Sequence, residues 1–352
     1  MSGEARYRRA EAPVDPGGER MTKRPRPNIR DVAALAGVSH MTVSRVINDH
    51  PSLRDDTRRR VRAAMEELDY RPNSDARALA SRRTDRIGVI IDSPAQVGPA
   101  NTMLGVEQAA LASGYRVSTV TVGTDGRTGS RAALQHLGAQ GVDGLCVIAP
   151  RSSSLTMLRE LDRGIPTLVV TPTPDDGYHA VAVDQSGGAG MAMDHLLELG
   201  HRRIVHLAGP DDWLDARARL DGYRASMAAA GAPAEVLVGD WTADSGYALG
   251  ATLDPGVTAV FAANDQMALG LVHALADRGI DVPGDVSVVG FDDLADVAHY
   301  RPPLTTVRQD FSALGQRAIE TLVAVMAGHA RPRIATIPAS LTVRASTATP
   351  SR

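Results

Sequence analysis

Lysine is nearly missing from this sequence of 352 residues: Lys23 stands alone beside 37 arginines. A phosphate-cradling loop built around a lysine is thereby excluded from everything beyond the amino-terminal stretch. Cysteine is as scarce, and a lone Cys146 excludes both an internal disulfide framework and an all-cysteine zinc cage. Aromatic residues amount to 3%, with three Phe and two Trp. No run of about 18 apolar residues offers a membrane span. The beginning has no basic-then-apolar leader pattern, which points to a reducing cytoplasm. Apolar side chains, by contrast, make up 43% of the whole. That excludes a mainly disordered chain, and at roughly 100–200 residues per domain the length predicts two or three globular units.

The net charge of −3 hides an asymmetry. Residues 1–86 carry 19 Lys/Arg against 13 Asp/Glu, whereas residues 87–352 carry 19 against 28. A basic head on an acidic body suggests that the head meets a polyanion and the body does not.

Residues 1–27 lack apolar periodicity and hold four prolines, which reads as a disordered arm. From Ile29 to about Leu68 apolar residues return at helical spacing: Val32, Leu35 and Ala36, then Val43, Val46 and Ile47, then Val61, Met65 and Leu68. Three short helices follow, broken at Gly37 and near Pro51, the third ended by Pro72. Asn73 then offers an N-cap for one or two turns through Leu79. Beyond Ile87 short Val/Ile-rich runs alternate with helical stretches. The expected strands are Ile87–Asp92, Arg116–Val122, Gly144–Ile148, Thr167–Thr171, Val181–Asp184, Ile204–Ala208, Val236–Gly239, Ala259–Ala262 and Val286–Phe291. Among the helices between them are Leu104–Ser113, Ser130–Gln140, Gly188–Leu199, Ala216–Ala229 and Gln266–Arg278. Such alternation predicts an α/β body of parallel sheet covered on both faces, and about nine strands suit two doubly wound lobes better than one. Ligands bind such sheets at the carboxyl ends of strands, and here also between lobes.

The segment Asp31–Asn48 (DVAALAGVSHMTVSRVIN) reads as helix, tight turn, helix. Gly37 takes the positive φ at the turn and Ser39 caps the second helix. Val43, Val46 and Ile47 then face inward, while His40, Met41, Thr42, Ser44 and Arg45 project outward. A second helix that presents its N-terminal side chains in this way fits a major groove; an ordinary helical hairpin is the alternative.

With TRRRVRAAMEELDYRPN (Thr57–Asn73) and ARALA (Ala76–Ala80), this segment resembles the head of the lactose-repressor (LacI/GalR) family of bacterial transcription regulators. GDWTADSGY (Gly239–Tyr247), FAANDQMALG (Phe261–Gly270), VSVVGFDD (Val286–Asp293) and PPLTTVRQDFSALG (Pro302–Gly315) extend the likeness, which runs from about Asn28 to Thr342. The resemblance implies a helix-turn-helix DNA-binding domain over residues 28–72, after the disordered arm 1–27, and a hinge helix and linker over 73–86. The rest would be a periplasmic-binding-protein-like effector body. Its N-terminal lobe would comprise 87–183 plus 311–338, and its C-terminal lobe 184–310 plus 339–352. It further implies that His40, Met41 and Arg45 face base edges of a double-stranded operator, while Ser39, Thr42 and Asn48 hold phosphates. An arginine reaching O6 and N7 of guanine discriminates by about 1–3 kcal/mol. Two hinge helices starting at Asn73, one from each protomer of a homodimer, would lie in the minor groove with Leu79 wedged between base pairs. Burial in ordinary packing is the alternative for Leu79.

The body motifs fall at strand ends, and their chemistry suits a sugar. Asp292, Asn264 and Gln266 offer paired hydrogen-bond sites to adjacent hydroxyls, Arg219 supplies a forked donor, and Asp215 joins them. Trp241 and Phe311 suit the apolar face of a pyranose. Core packing is the alternative for Trp241 and Phe291, and a structural ion pair for Arg219. Asp215 and Asp292 against one arginine, with no lysine in the body, argue against a phosphorylated or dicarboxylate effector. The expected effector is a small neutral sugar, such as a β-linked disaccharide, that releases the repressor from a palindromic operator. Corepression by a purine or another metabolite is the alternative. Ile148, Thr171 and Asp215 depart from the family namesake's Asn, Asp and Ser, which leaves the set of hydroxyls read open. The family's leucine-rich tetramerising tail is absent, so a dimer is expected.

An enzyme is the rival class. GGAGMA (Gly187–Ala192) follows a strand but matches a dinucleotide fingerprint poorly. His136, His195, His201 and His206 have no metal-ligand spacing, and Asp211 with Asp212 reads as a solvated loop. An exported solute-binding protein would share the body but needs a leader and no DNA-reading head. No catalysis, cofactor, metal or membrane partner is expected, and the location expected is cytoplasmic, at the nucleoid.

Overall fold

The computed structural model describes residues 27–47, 50, 52–70, 83–122, 130–154, 164–173, 177–329 and 332–351. The chain divides into two compact units, residues 1–80 and 81–352.

In the first unit three helices, α1 (Ile29–Ala36), α2 (His40–Ile47) and α3 (Asp55–Glu67), enclose a small core. Asn28 starts α1 with a reciprocal capping box: its side chain accepts from the Arg30 N–H at 2.8 Å, and Asp31 accepts from the Asn28 N–H at 2.7 Å. Gly37 ends α1 with φ 62°, a left-handed geometry that favours glycine. The core joins Val32, Ala33, Ala36, Val43, Val46, Val61 and Ala64. Leu35, expected on the buried face, is 46% exposed. The helix turns its Val32–Ala33–Ala36 stripe inward instead, and Leu35 falls outside that arc.

The second unit holds two six-stranded sheets. In the first, β1 (Arg86–Asp92), β2 (Arg116–Val122), β3 (Gly144–Ile148), β4 (Thr167–Val170), β5 (His179–Val183) and β11 (Ile334–Ile337) run parallel in the order β11-β5-β4-β3-β1-β2. The second contains β6 (Ile204–Ala208), β7 (Glu235–Val238), β8 (Ala259–Ala262), β9 (Ser287–Asp292), β10 (Thr305–Arg308) and β12 (Ser340–Thr342), in the order β12-β10-β9-β8-β6-β7. Only β12 runs antiparallel, against β10. Strands β3, β6 and β9 are buried along their whole length; β3 reads as a continuous apolar run, while β6 and β9 also bury His206 and Asp292.

Helices α4 (Val97–Ala112), α5 (Ser130–Ala139) and α10 (Phe311–Met326) cover the first sheet, and α6 (Gln185–Glu198), α7 (Leu214–Ala229), α8 (Ala243–Ala251) and α9 (Asp265–Asp277) accompany the second. Three features were not anticipated from spacing: α8, α10 as a full helix, and the short strands β10, β11 and β12. Helix α4 also begins at Val97, seven positions before the expected Leu104, because Pro99 falls in its first turn, where proline costs no intrahelical bond. The glycines of GGAGMA lie inside α6, where Gly188 abuts Phe291 and the helix packs closely on α7.

The chain crosses between the lobes three times: after β5, after β10, and between β11 and β12. The first two crossings end in aspartate caps, Asp184 accepting from Gly187 N and Asp310 from Ala313 N, each at 2.8 Å. Strand ends and crossings thus converge on one seam.

Candidate functional site

In the first unit, α2 presents His40, Met41 and Arg45 to solvent, with Met41 57% exposed. Ser39 caps the helix as expected: its hydroxyl accepts from the Thr42 N–H at 3.2 Å and lies 3.0 Å from the Thr42 hydroxyl. The turn before it is clamped from α3 by Arg60, which donates to the carbonyls of Ala36 (2.6 Å) and Gly37 (3.3 Å). Val43 and Val46 anchor the opposite face. A short rigid helix with small hydroxyls at its positive end and a cation one turn on is well made for a polyanion. Asn48, Asn73 and Leu79 lie outside the described residues.

In the second unit a cleft runs along the interlobe seam as two adjoining hollows. One is lined by Gln96–Pro99 from the first lobe and by Trp213, Asp215, Arg219, Trp241, Asn264 and Asp292 from the second. The other shares Gly98, Pro99 and Asp215 with it. It continues past Thr102, Ile148, Thr171, Gln309 and Phe311. Six of the seven expected effector contacts therefore border this cleft, and Gln266, half-buried on α9, does not.

Four buried polar side chains close a ring at the base of the cleft. Arg219 Nε donates to Gln185 Oε1 (2.9 Å), Gln185 Nε2 to Gln309 Oε1 (2.8 Å), and Gln309 Nε2 to Asp292 Oδ1 (2.7 Å). Arg219 Nη2 completes the circuit 3.6 Å from the same Asp292 oxygen. Arg219 also donates through Nη1 to the Ala263 carbonyl and stacks over Phe291, 3.8 Å from its centroid. Phe291 is thus core, as its alternative reading had it, yet it carries the cation that faces the cleft. Gln185 and Gln309 stand on two different crossings and 124 residues apart, and no local pattern marks either.

Electrostatics follow from this burial. Desolvation pushes the Asp292 carboxyl up to about 6, against the opposing pull of Arg219 and Gln309. Asp265, behind it, is raised to about 8 by burial and by the Asp292 charge, although Thr306 and the Leu294 N–H bond to it. Asp215 is raised by burial and held back by Arg219.

Trp241 has φ 77° and Asp292 φ 113°, left-handed geometries rare outside glycine, and both sit on the cleft. Asn264 helps hold Trp241 there, its Nδ2 donating to the Trp241 carbonyl at 2.9 Å while its Oδ1 caps α9. The indole edge packs so closely on Gly209 that a Cβ there would meet ring carbons at 2.3 Å. Trp213 meets Trp241 edge-on, centroids 5.5 Å apart. Trp241 Nε1 is buried with no hydrogen-bond partner among the described residues.

The four histidines considered for catalysis are scattered. His136 bonds Gln140, His195 bonds Thr347, and His201 bonds Thr258, Ser287 and the Ala348 carbonyl. His206 is stacked between Tyr223 and Phe261 in the core. Asp211 and Asp212 lie in an exposed turn, as expected, and Asp212 also pairs with Arg151 at 3.7 Å. Arg151 in turn grips buried Asp92, a cluster that no sequence signal announced. No described helix is long and apolar enough to cross a membrane.

Comparison with known proteins matches residues 28–73 to the lacI family of bacterial regulatory proteins and residues 193–347 to a periplasmic binding protein-like domain. The lactose operon repressor of Escherichia coli (strain K12) is 36% identical over 326 residues, covering 91% of each chain. Among solved structures, the lac repressor dimer bound to operator and the anti-inducer ONPF superposes with a TM-score of 0.82 at 35% identity, covering 92% of this chain and all of that one. The transcriptional regulator CelR in complex with cellobiose gives a TM-score of 0.68 at 34% identity, covering 91% of this chain and all of that one.

Proposed function

The chain belongs to the lacI family of bacterial regulatory proteins and is a DNA-binding transcriptional regulator; from this we propose that it is a cytoplasmic, nucleoid-associated repressor released from DNA by a neutral sugar. It grips a palindromic operator as a homodimer. Ser39, Thr42 and Asn48 hold phosphates and His40, Met41 and Arg45 read bases, while paired hinge segments bring Asn73 and Leu79 to the minor groove. Residues 28–72 serve as the reader and 73–86 as the hinge. Residues 87–183 with 311–338, and 184–310 with 339–352, serve as the two lobes that sense the effector. The protein performs no catalytic step.

The observation that carries the effector reading is the cleft's balance of groups. Trp241 Nε1 is buried without an acceptor, half-buried Asp215 opens onto the cleft, and Arg219 is the one cation of the wall among the described residues. A buried donor left without a partner is costly, and a molecule bearing hydroxyls at several positions supplies its acceptor while donating to Asp215. The Trp213–Trp241 pair offers an apolar face to a ring, and two adjoining hollows that meet at Asp215 suit two linked rings. A β-linked disaccharide fits, as cellobiose does in the CelR complex. Asp292 and Asp215 repel phosphate. By linkage, the sugar acts because it binds the DNA-incompetent arrangement more tightly.

Calorimetry of the full-length protein with cellobiose, lactose, ribose and hypoxanthine tests this, alongside a gel shift on the upstream region of its own gene. The expected result is disaccharide binding that weakens the shifted complex. Tight hypoxanthine binding with no response to any sugar would refute the sugar reading.

A further inference from the structure

Beside the cleft, a strap of the first lobe is stitched to the second. Residues 150–152 run antiparallel to 212–214: Ser152 N donates to the Asp212 carbonyl at 3.0 Å, Leu214 N donates to the Pro150 carbonyl at 2.9 Å, and Arg151 pairs with Trp213 between them. The Arg151 side chain turns back into its own lobe. Its Nη2 and Nε donate to the two oxygens of Asp92, at 2.7 and 3.1 Å, in the forked geometry specific to arginine. Asp92, 1% exposed, also accepts from Ser154 at 2.6 Å and Ser93 at 2.9 Å. Burial alone would raise its carboxyl, but these donors outweigh burial and keep it ionised. From that anchor, Arg151 Nη1 reaches Asp212 of the other lobe.

The strap meets the second lobe where the cleft's chemistry begins. Leu214 is the first residue of α7, and Trp213 before it makes no side-chain cap. An α-helix leaves its first N–H groups without internal partners, so the Pro150 carbonyl, from the opposite lobe, does the capping. Trp213 and Asp215 flank that bond, and Arg219 follows one turn on.

We propose that Arg151 is the positioning residue of the effector cleft, and that the strap it holds is a latch keeping the lobes shut, and α7 capped, before any effector arrives. Opening the lobes uncaps the helix that carries Asp215 and Arg219, so closure and recognition are one event. The link to recognition rests on the effector reading above; the latch itself is a property of the unliganded protein.

Amide hydrogen exchange on the full-length unliganded protein tests it. Ser152 and Leu214 N–H are expected to be protected. In Arg151→Ala both exchange at least about tenfold faster, the change that about 1.4 kcal/mol produces, while amides of β6 stay as they were. Arg151→Lys, which restores the charge without the fork, recovers part of the protection. Leu214→Pro deletes the strap's donor at a first-turn position where proline suits a helix, and it releases Ser152 by a similar factor. It decides the matter should Arg151→Ala fail to fold. Unchanged Ser152 exchange in Leu214→Pro, or unprotected strap amides in the wild type, would overturn the latch. Titration of the same samples with cellobiose separates the two ideas: wild type that ignores cellobiose yet protects its strap keeps the latch and loses the sugar.

Discussion

The two lobes are wound alike and equipped differently. Each sheet follows the same order outward from its first strand, with the late strands β11 and β12 added at corresponding edges. Yet the first lobe faces the cleft with Ile148, Ala149, Val170, Ala182 and Val183, relieved by Gln96, Thr102 and Thr171, whereas the second faces it with Asp215, Arg219, Trp241, Asn264 and Asp292. A shared fold therefore sets where a ligand lies and leaves its recognition to the side chains at strand ends. Here one lobe carries most of the hydrogen-bonding groups of the cleft and the other most of its apolar wall.

Several substitutions would break or sharpen that contrast. Arg219→Ala should have the largest effect, because it strands Asp292 and opens the buried ring; a loss of about 3–5 kcal/mol in urea unfolding is expected. Trp241→Ala leaves the ring intact and removes an aromatic platform. Its expected cost is about tenfold or more in cellobiose affinity by calorimetry.

The contrast extends to pH, since His206 is a titratable ring in the second lobe's core. Burial presses its pKa down to about 4, outweighing the Phe261 carbonyl bond. Between about 6.5 and 4 the unfolded chain binds a proton that the native state refuses, so falling pH destabilises the fold. The wild type should accordingly lose stability relative to His206→Phe by up to about 1.4 kcal/mol per pH unit across that window, measured by denaturation at stepped pH. Asp265 and Asp292, raised instead, act in the opposite direction but are common to both proteins and cancel. Thr171→Val, on the first lobe's wall, should change cellobiose affinity least, by less than about threefold, if the hydrogen bonding belongs to the other side. A hundredfold loss there would erase the distinction between the lobes.

Much of this was legible from spacing alone. Strands β3, β6 and β8 begin and end at the expected residues, because parallel strands buried on both faces are short, continuous and bounded by turn formers, and the half-exposed edge strand β2 matches its expected bounds as well. The head was as clear, for Gly37, Ser39 and the valines of α2 each act within one turn of themselves. Helix α10 was less so: Leu314, Ala318, Ile319 and Leu322 make its buried stripe, but the segment follows strand β10 after only two residues and reads as one motif with it. What escaped altogether was long-range pairing. Asp92 meets Arg151 across 59 positions and Gln185 meets Gln309 across 124, and both contacts exist only because strand order brings crossings and strand ends to the same seam. Composition names the groups available; topology decides which become neighbours.

The chain has two tryptophans, and both stand in the cleft wall, ring centroids 5.5 Å apart. All indole fluorescence from the native molecule consequently originates at one spot, beside Asp215, the Arg219 cation and the strap. An unlabelled solution thus carries its own optical gauge, in which a change of colour or brightness timed in a rapid-mixing cell reports on that spot, strap and cleft wall together.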